Sequence, residues 1–403
     1  MTKISSSNSV LWLQVFALAG VQGAITLTWV MYNVYLEDLL VAFGFAAPLA
    51  ATLLIIENAI AAICEPVMGG LSERQYRWMA SGLPFISLGV ILSSALFIAI
   101  PAIAILGNTP ALKWVLPVML VAWAMAMTIF RSPALSLLGR YSSPDSLPQA
   151  ASIVTFMGSF VSAWQSAAAD FLLSLGPAVT FTIGSVVLLA ATGLLRFFHP
   201  PQSPTSESEA TKNETQPVSI PILVIIALMG TAMAWTTRFL FGNLPGAIAI
   251  QLPQMDIDRF MLGLALFMAF TTLLAGQIGT RLGNKRAMLV GVIGVVLCLP
   301  LAATKSAMLL FALALLVITI AYPLIWNGVI PLALSVVPPH RAGLGVGCFF
   351  GGFTGGMTLF NLIILPQQNN LSIFTGAIAG AISCAAIGVL TMVLNRDRSA
   401  YLP

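Results

Sequence analysis

Two carboxylates and a guanidinium stand where a chain rarely puts charge. Glu57 and Glu65 lie eight residues apart inside the apolar run that begins near residue 48, and Arg131 lies inside another that ends near residue 138. On one helix, eight residues advance a little more than two turns, so the acids diverge by about 80° around the axis. Glu57 falls at the middle of its run. Glu65 is two turns nearer the end, at a depth close to that of Arg131, and those two are expected to meet as a buried ion pair. Removing one partner from such a pair strands a charge at a cost of about 3–5 kcal/mol, so a structural role rivals a functional one. Glu57 has no cation at its own depth in the same half. With Asn58 beside it, it is a carboxyl that can exchange a proton as its surroundings turn from wet to dry; the alternative is a permanently neutral acid bonded to a neighbouring helix. Asp170 and Arg238 sit near the ends of other apolar runs, where snorkelling to water gives an ordinary structural role.

Polar and aromatic residues recur on single faces of the same kind of run. Gln22, Thr26, Trp29 and Asn33 follow i, i+4, i+7 and i+11, one polar stripe on an apolar helix. Thr231, Trp235 and Arg238 form a second stripe, Thr319, Tyr322 and Trp326 with Asn327 a third, and Trp123 with Arg131 a fourth pairing eight residues apart. Rings that stack on apolar sugar faces, with amides that bond hydroxyls, suit a neutral polyhydroxylated ligand; they also suit amphipathic compounds, interfacial anchoring or helix packing. No nucleophile and base are placed together and no phosphate loop is present, so neither catalysis nor a cofactor or metal is expected. Cys64, Cys298, Cys348 and Cys384 lie in apolar runs without CxxC spacing and read as buried thiols.

The elements that position these groups follow from composition. Of 403 residues, 59% are hydrophobic and 7% charged, against about 25% charged in soluble chains, so the chain is expected to be an all-α integral membrane protein. Hydropathy gives twelve spans, near 11–36, 48–68, 79–100, 114–138, 149–173, 176–197, 220–242, 260–280, 286–303, 306–333, 342–364 and 371–394. Lipid admits these as helices because a helix satisfies its own backbone. With both termini cytoplasmic, twelve Lys and Arg lie inside, among them Arg74, Arg77, Arg281 and Lys285, against Lys113, Arg259 and Lys305 outside; that bias fixes the expected orientation. The net charge of +4 is not clustered, so a nucleic-acid partner is not expected. Residues 198–219 are rich in Pro, Ser, Thr and Glu and read as a flexible cytoplasmic linker between an N-terminal six-helix half, 1–197, and a C-terminal half, 220–403. The sequon at Asn213 reads as chance on that side.

One local pattern occurs twice, 207 residues apart. Gly69-Gly70-Leu71-Ser72-Glu73-Arg74 with Arg77, and Gly276-Gln277-Ile278-Gly279-Thr280-Arg281 with Gly283 and Lys285, share a Gly-x-hydrophobic-x-x-Arg frame after the second span of each half. Six helices, a linker, six helices and this repeated basic turn resemble the major facilitator superfamily over essentially the whole chain. In that family the first copy carries an acid where Glu73 stands; the second copy has Thr280 there. The resemblance implies that Glu73 reaches helix 11, which starts after Arg341, and latches the cytoplasmic side when the carrier opens outward. The bland reading is that these charges only fix topology.

A narrower resemblance lies in Phe130-Arg131-Ser132-Pro133-Ala134-Leu135, with Pro148-Gln149-Ala150 and Gly20-Val21-Gln22-Gly23. These are similar to sucrose carriers and glycoside-pentoside-hexuronide cation symporters. There, second-helix acids hold the coupling cation and Glu57 is the nearest match, but Arg131 stands on helix 4 in place of an acid, which puts a sodium site in doubt. Met157-Gly158-Ser159-Phe160 lacks the glycine-proline pattern common on helix 5 of antiporters. The resemblance implies a monomeric secondary transporter of the plasma or inner membrane, with helices 1, 4, 7 and 10 lining the cavity. Proton-coupled symport of a sugar or related small polar solute is expected first, with sodium as the other coupling ion. Drug or metabolite efflux by proton antiport comes second, and a non-transporting receptor third.

Overall fold

The computed structural model describes the backbone at residues 10–79, 83–106, 113–200, 219–305 and 307–401, and side chains there except at 74–79, 104–106, 368–369 and 395–401. Twelve long helices carry the chain. They are α1 (Trp12–Ala42), α2 (Pro48–Met79), α3 (Leu83–Leu106), α4 (Val115–Ser136), α5, α6 (Pro177–Phe198), α7 (Ile220–Gln251), α8 (Ile257–Leu282), α9 (Asn284–Ala302), α10 (Met308–Val336), α11 (Ala342–Leu359) and α12 (Ile373–Tyr401). Helix α5 is broken at Trp164 into Leu147–Ala163 and Gln165–Leu175. Among the described residues, eleven stretches are long and apolar enough to cross a membrane, and Leu147–Ala163 is a shorter apolar helix. An even number of spans returns α12 to the side where α1 begins, here the terminal side; the opposite side is the far side.

Buried side chains gather into two main clusters. One runs from Val15 on α1 to Leu195 on α6, and the other from Ile226 on α7 to Leu394 on α12. The clusters meet along two seams, α2 against α11 and α5 against α8. A methyl group added at Gly69 would collide with the Gly343 carbonyl, and one added at Gly347 would collide with the Glu65 carbonyl. On the second seam the same addition at Gly276 would strike Ser152. Small residues let backbones approach where apolar lipid offers helices no hydrophobic drive to associate. The glycines of α11 serve two neighbours: Gly347 and Gly351 face α2, while Gly352 and Gly356 face Ala227 and Thr231 on α7.

Several boundaries differ from the hydropathy reading. The expected basic turn after residue 68 is helical, because α2 continues to Met79; Leu71 to Met79 contains good helix formers and no proline. Glu73 therefore projects from a helix. In the second copy the turn is a single residue, Gly283, whose φ of 84° is a conformation glycine adopts without strain. Residues 201–218, and with them Lys212, the sequon and most of the expected linker, lie outside the described residues.

Two tests follow from this packing. Gly352→Val drives a branched side chain into the Ala227 carbonyl and is expected to destabilise by about 1–3 kcal/mol. Gly263→Ala, with open space at its Cβ, should gain about 0.5–1 kcal/mol; thermal unfolding in detergent reads both. At the end of α6, beyond the apolar span, His199 Nδ1 lies 2.7 Å from the Tyr141 hydroxyl. Burial, then the nearby Arg140, push its pKa below the usual value. The unfolded state therefore binds more protons, and the stability contributed here falls as pH drops below about 6.5. His199→Gln should flatten that acid limb in melting curves taken across pH.

Candidate functional site

Helix α1 aims a hydroxyl at the midspan acid. Tyr32 stacks on Trp123 of α4 at 4.5 Å between centroids and meets Trp29 edge-on at 5.6 Å, while Trp123 stacks on Phe97 at 4.8 Å. Held in this aromatic column, the Tyr32 hydroxyl donates to Glu57 Oε1. Glu57 is 5% exposed, and its Oε2 has no hydrogen-bond partner. Asn58 does not assist it: its Nδ2 bonds back to the Leu54 carbonyl at 2.7 Å.

Two turns along α2, Glu65 is fully buried and takes Arg131 Nε at 2.8 Å and Nη2 at 2.5 Å on Oε1, while the Ser132 hydroxyl donates to Oε2. Both carboxylate oxygens are satisfied, which a buried ion pair requires if attraction is to offset desolvation. The guanidinium also lies 4.6 Å from the Phe350 ring centroid, so this pair of the first half touches α11 of the second.

At the terminal end of the α2–α11 seam, Glu73 Oε1 accepts from the Leu344 backbone N–H at 2.7 Å, and Oε2 lies 3.5 Å from Arg341 Nη1. A carboxylate on the first turn of α11 meets free N–H groups and the positive end of the helix dipole. The side chains of Arg74 and Arg77 lie outside the described residues. On the second seam, neutral groups make the corresponding contacts. Thr280 bonds back to the Gly276 carbonyl at 2.9 Å, Gly279 packs on Pro148, and Asn327 Nδ2 donates to the Pro148 carbonyl at 3.0 Å. Arg281 is exposed and Lys285 half-buried.

Between these closures and the far side lies a cavity of about 700 Å³. Its polar wall is Gln22, Thr26, Thr155, Ser159, Gln165 and Thr237, with Tyr322 and Trp326 as aromatic platforms; Phe241, Met268, Phe349 and Phe350 make it apolar elsewhere. Tyr322 and Trp326 stack at 6.4 Å, and the Tyr322 hydroxyl lies 2.8 Å from Thr237 Oγ1. Among the described residues, no Asp, Glu, Lys or Arg lines the cavity.

The polar stripes divide accordingly. Gln22, Thr26, Tyr322 and Trp326 line the cavity, and the other expected contacts do not. Trp123 is fully buried in the aromatic column, and Trp29 flanks it. Thr231 and Trp235 donate to the Gly352 and Gly356 carbonyls of α11, each at 2.9 Å. Asn327 ties α10 to α5 at the Pro148 carbonyl, Thr319 is buried, and Asn33 and Asp170 are exposed. Arg238 bonds Asn361 at 2.7 Å. Helices α5 and α8 supply much of the wall, whereas α4 supplies only Leu135. On α5, Thr155, Ser159, Ser162 and Ser166 line the cavity at i, i+4, i+7 and i+11, a stripe of small hydroxyls without aromatic or amide residues that the sequence reading passed over. Tyr32 and Ser132, which hold the two acids, stood beside expected residues but were legible only as packing.

Removing the guanidinium in Arg131→Met should leave Glu65 stranded and destabilise by about 3–5 kcal/mol. The double variant Glu65→Leu/Arg131→Met should recover most of that loss. Unfolding in detergent decides: a double variant no more stable than Arg131→Met would mean that the pair is not what holds this region.

The sequence model of the Major Facilitator Superfamily matches residues 18–361. No curated protein matches the sequence significantly. Solved structures resemble the fold. The transporter FucP in its outward conformation has a TM-score of 0.67 at 13% identity, over 94% of this chain and 98% of that one. The proton:xylose symporter XylE bound to 6-bromo-6-deoxy-D-glucose has a TM-score of 0.69 at 14%, over 97% and 96%. The human organic anion transporter MFSD10 has a TM-score of 0.67 at 11%, over 95% and 99%. A family match over most of the length, on a twelve-helix frame with a cavity between two halves, identifies the chain as an integral membrane transporter, not an enzyme, that belongs to the major facilitator superfamily.

Proposed function

We propose that the chain works by alternating access as a proton-coupled symporter of a sugar or related small neutral solute. The observation that carries the coupling is Glu57: a buried carboxyl with a tyrosine hydroxyl on one oxygen, nothing on the other and no cation beside it. Such a group can be neutral or charged according to the state of its surroundings, whereas Glu65 is committed to Arg131. The solute class is supported by a cavity without formal charge, where hydroxyls and amides face the Tyr322 and Trp326 rings. Its volume is ordinary for a small-molecule site. FucP of E. coli is described as a fucose:proton symporter and XylE as a proton:xylose symporter, which fits this reading at the level of a shared fold.

In this scheme the terminal side is cytoplasmic, the membrane is the plasma or inner membrane, and the carrier acts as a monomer. The structure then corresponds to the outward-facing state, with the Glu73 latch closed. Proton and solute load from outside, the halves rock, the latch opens, and both leave on the terminal side. A second reading draws on the apolar part of the wall, Phe241, Met261, Met268, Phe349 and Phe350, which favours amphipathic solutes exported in exchange for protons.

Reconstituted vesicles separate these readings. Adding a transported sugar to the wild-type protein should alkalinise the outer medium, and a pH gradient should drive accumulation. Glu57→Gln should abolish both while sparing solute exchange at equal concentrations. Uphill transport surviving in Glu57→Gln would remove Glu57 as the coupling site. Efflux of lipophilic cations without sugar flux would favour the second reading.

A further inference from the structure

Helix α7 carries a half-buried charge that neither the cavity nor the latch uses. Arg238 donates from Nη2 to Asn361 Oδ1 and lies 5.5 Å from the Phe360 ring centroid, while its Nε has no acceptor. No acid pairs with it among the described residues. Glu57 is the complement: Tyr32 holds Oε1, Oε2 has no partner, and no cation pairs with it among the described residues.

The register along α11 sets both groups at similar depth. On one flank α7 runs parallel to α11, with Thr231 bonding Gly352, Trp235 bonding Gly356 and Arg238 bonding Asn361. On the other flank α2 runs antiparallel, with Gly69 against Gly343, the Glu65 carbonyl against Gly347, and Ala62 against both Gly351 and Gly355. Glu57 lies five residues before Ala62 on α2, about 7.5 Å nearer the far side, and these registers carried on bring it level with residues 355–360. An anion and a cation thus stand within about a turn of the same depth in opposite halves, on the two helices that flank α11. No ion pair joins them in this state.

We propose that Glu57 and Arg238 pair across the two halves and lock the far side when the latch at Glu73 opens. Bringing α2 toward α7 is the movement that far-side closure requires. Glu57 is already withdrawn from water and Arg238 is half-buried, so pairing adds attraction at a desolvation cost that is partly met beforehand, the term that usually cancels a buried ion pair. Tyr32 on α1 and Asn361 on α11 hold one atom of each charge meanwhile, and Asn58 is engaged by its own helix. The two latches then alternate: Glu73 with α11 holds the terminal side, and Glu57 with Arg238 holds the far side. This inference rests on alternating access and not on the proton at Glu57.

The test uses the full chain with Cys64, Cys298, Cys348 and Cys384 replaced by alanine, in membrane vesicles without solute or pH gradient. In the Glu57→Cys/Arg238→Cys variant, a short bifunctional thiol reagent should cross-link weakly while the latch is intact. Adding Glu73→Ala should raise the yield about fivefold or more, the range of ordinary conformational coupling. An unchanged yield overturns the proposal. In a separate series, Gln165→Cys at the far end of the cavity reports accessibility to a membrane-impermeant thiol reagent, in the Glu73→Ala background. Glu57→Gln and Arg238→Gln should each increase labelling, and the double variant should do so no more than the larger single effect. Additive effects, or none, overturn the pair. Because neither readout involves flux, loss of proton coupling in Glu57→Gln would leave this result standing on its own.

Discussion

The close approach of α2 and α11 is the constraint on which the other features depend. Gly69 and Gly343 bring the two backbones into contact, and only at that separation does the Glu73 carboxylate reach the Leu344 N–H. The same seam places Phe350 over Arg131 and sets the depth at which Glu57 stands relative to α11. Larger side chains at these glycines would hold the halves apart and remove the latch geometry together with the floor of the cavity.

Helix α2 is graded by depth. Glu73 at its terminal end bonds a helix N-terminus in the other half, Glu65 is neutralised within its own half by Arg131 and Ser132, and Glu57 has a hydroxyl alone. Three carboxylates on one helix therefore have three different freedoms to change charge. The second half does not repeat the gradient. Thr280 stands where the acid would be, the α5–α8 seam packs at Gly276 and Gly279, and Asn327 on α10 bonds the Pro148 carbonyl of α5 beside it. A seam held by charge-assisted hydrogen bonds responds to displacement of a few ångströms differently from one held by packing. Opening at α2–α11 exposes an anion and a cation to water, whereas opening at α5–α8 separates small neutral surfaces.

The neutral cavity sits beside this graded helix without including it. Its liners come from α1, α5, α7, α8, α10 and α11, with Leu135 alone from α4, and none is ionisable as an acid or a base of the Asp, Glu, Lys or Arg type. The cavity and the buried charges are thus physically separate, linked by α1, which carries both Gln22 and Tyr32, and by Phe350, which lines the cavity and lies over Arg131. On the proposed reading, motion of α1 or α11 alters both at once.

Much of this was legible from sequence because lipid imposes strong local rules. Twelve apolar runs must be helices, two copies of a basic glycine frame mark related halves, and a charge inside an apolar run must find a partner, which is why Glu65 and Arg131 could be paired by depth alone. Side-chain direction was not legible. Gln22, Thr26, Tyr322 and Trp326 face the cavity, while Trp123, Thr231, Trp235 and Asn327, of the same residue types on equally amphipathic stripes, face neighbouring helices. In a membrane protein a polar face marks the protein side of a helix but does not distinguish cavity from contact, because both exclude lipid. The sequence by itself determined the helices and the depths of Glu57, Glu65 and Arg131, but it set Arg238 near the end of its run, whereas α7 continues to Gln251 and leaves that charge near mid-helix. Only the tertiary structure decided which polar groups meet one another and which remain open to a solute, since that depends on the rotation and spacing of helices far apart in the chain.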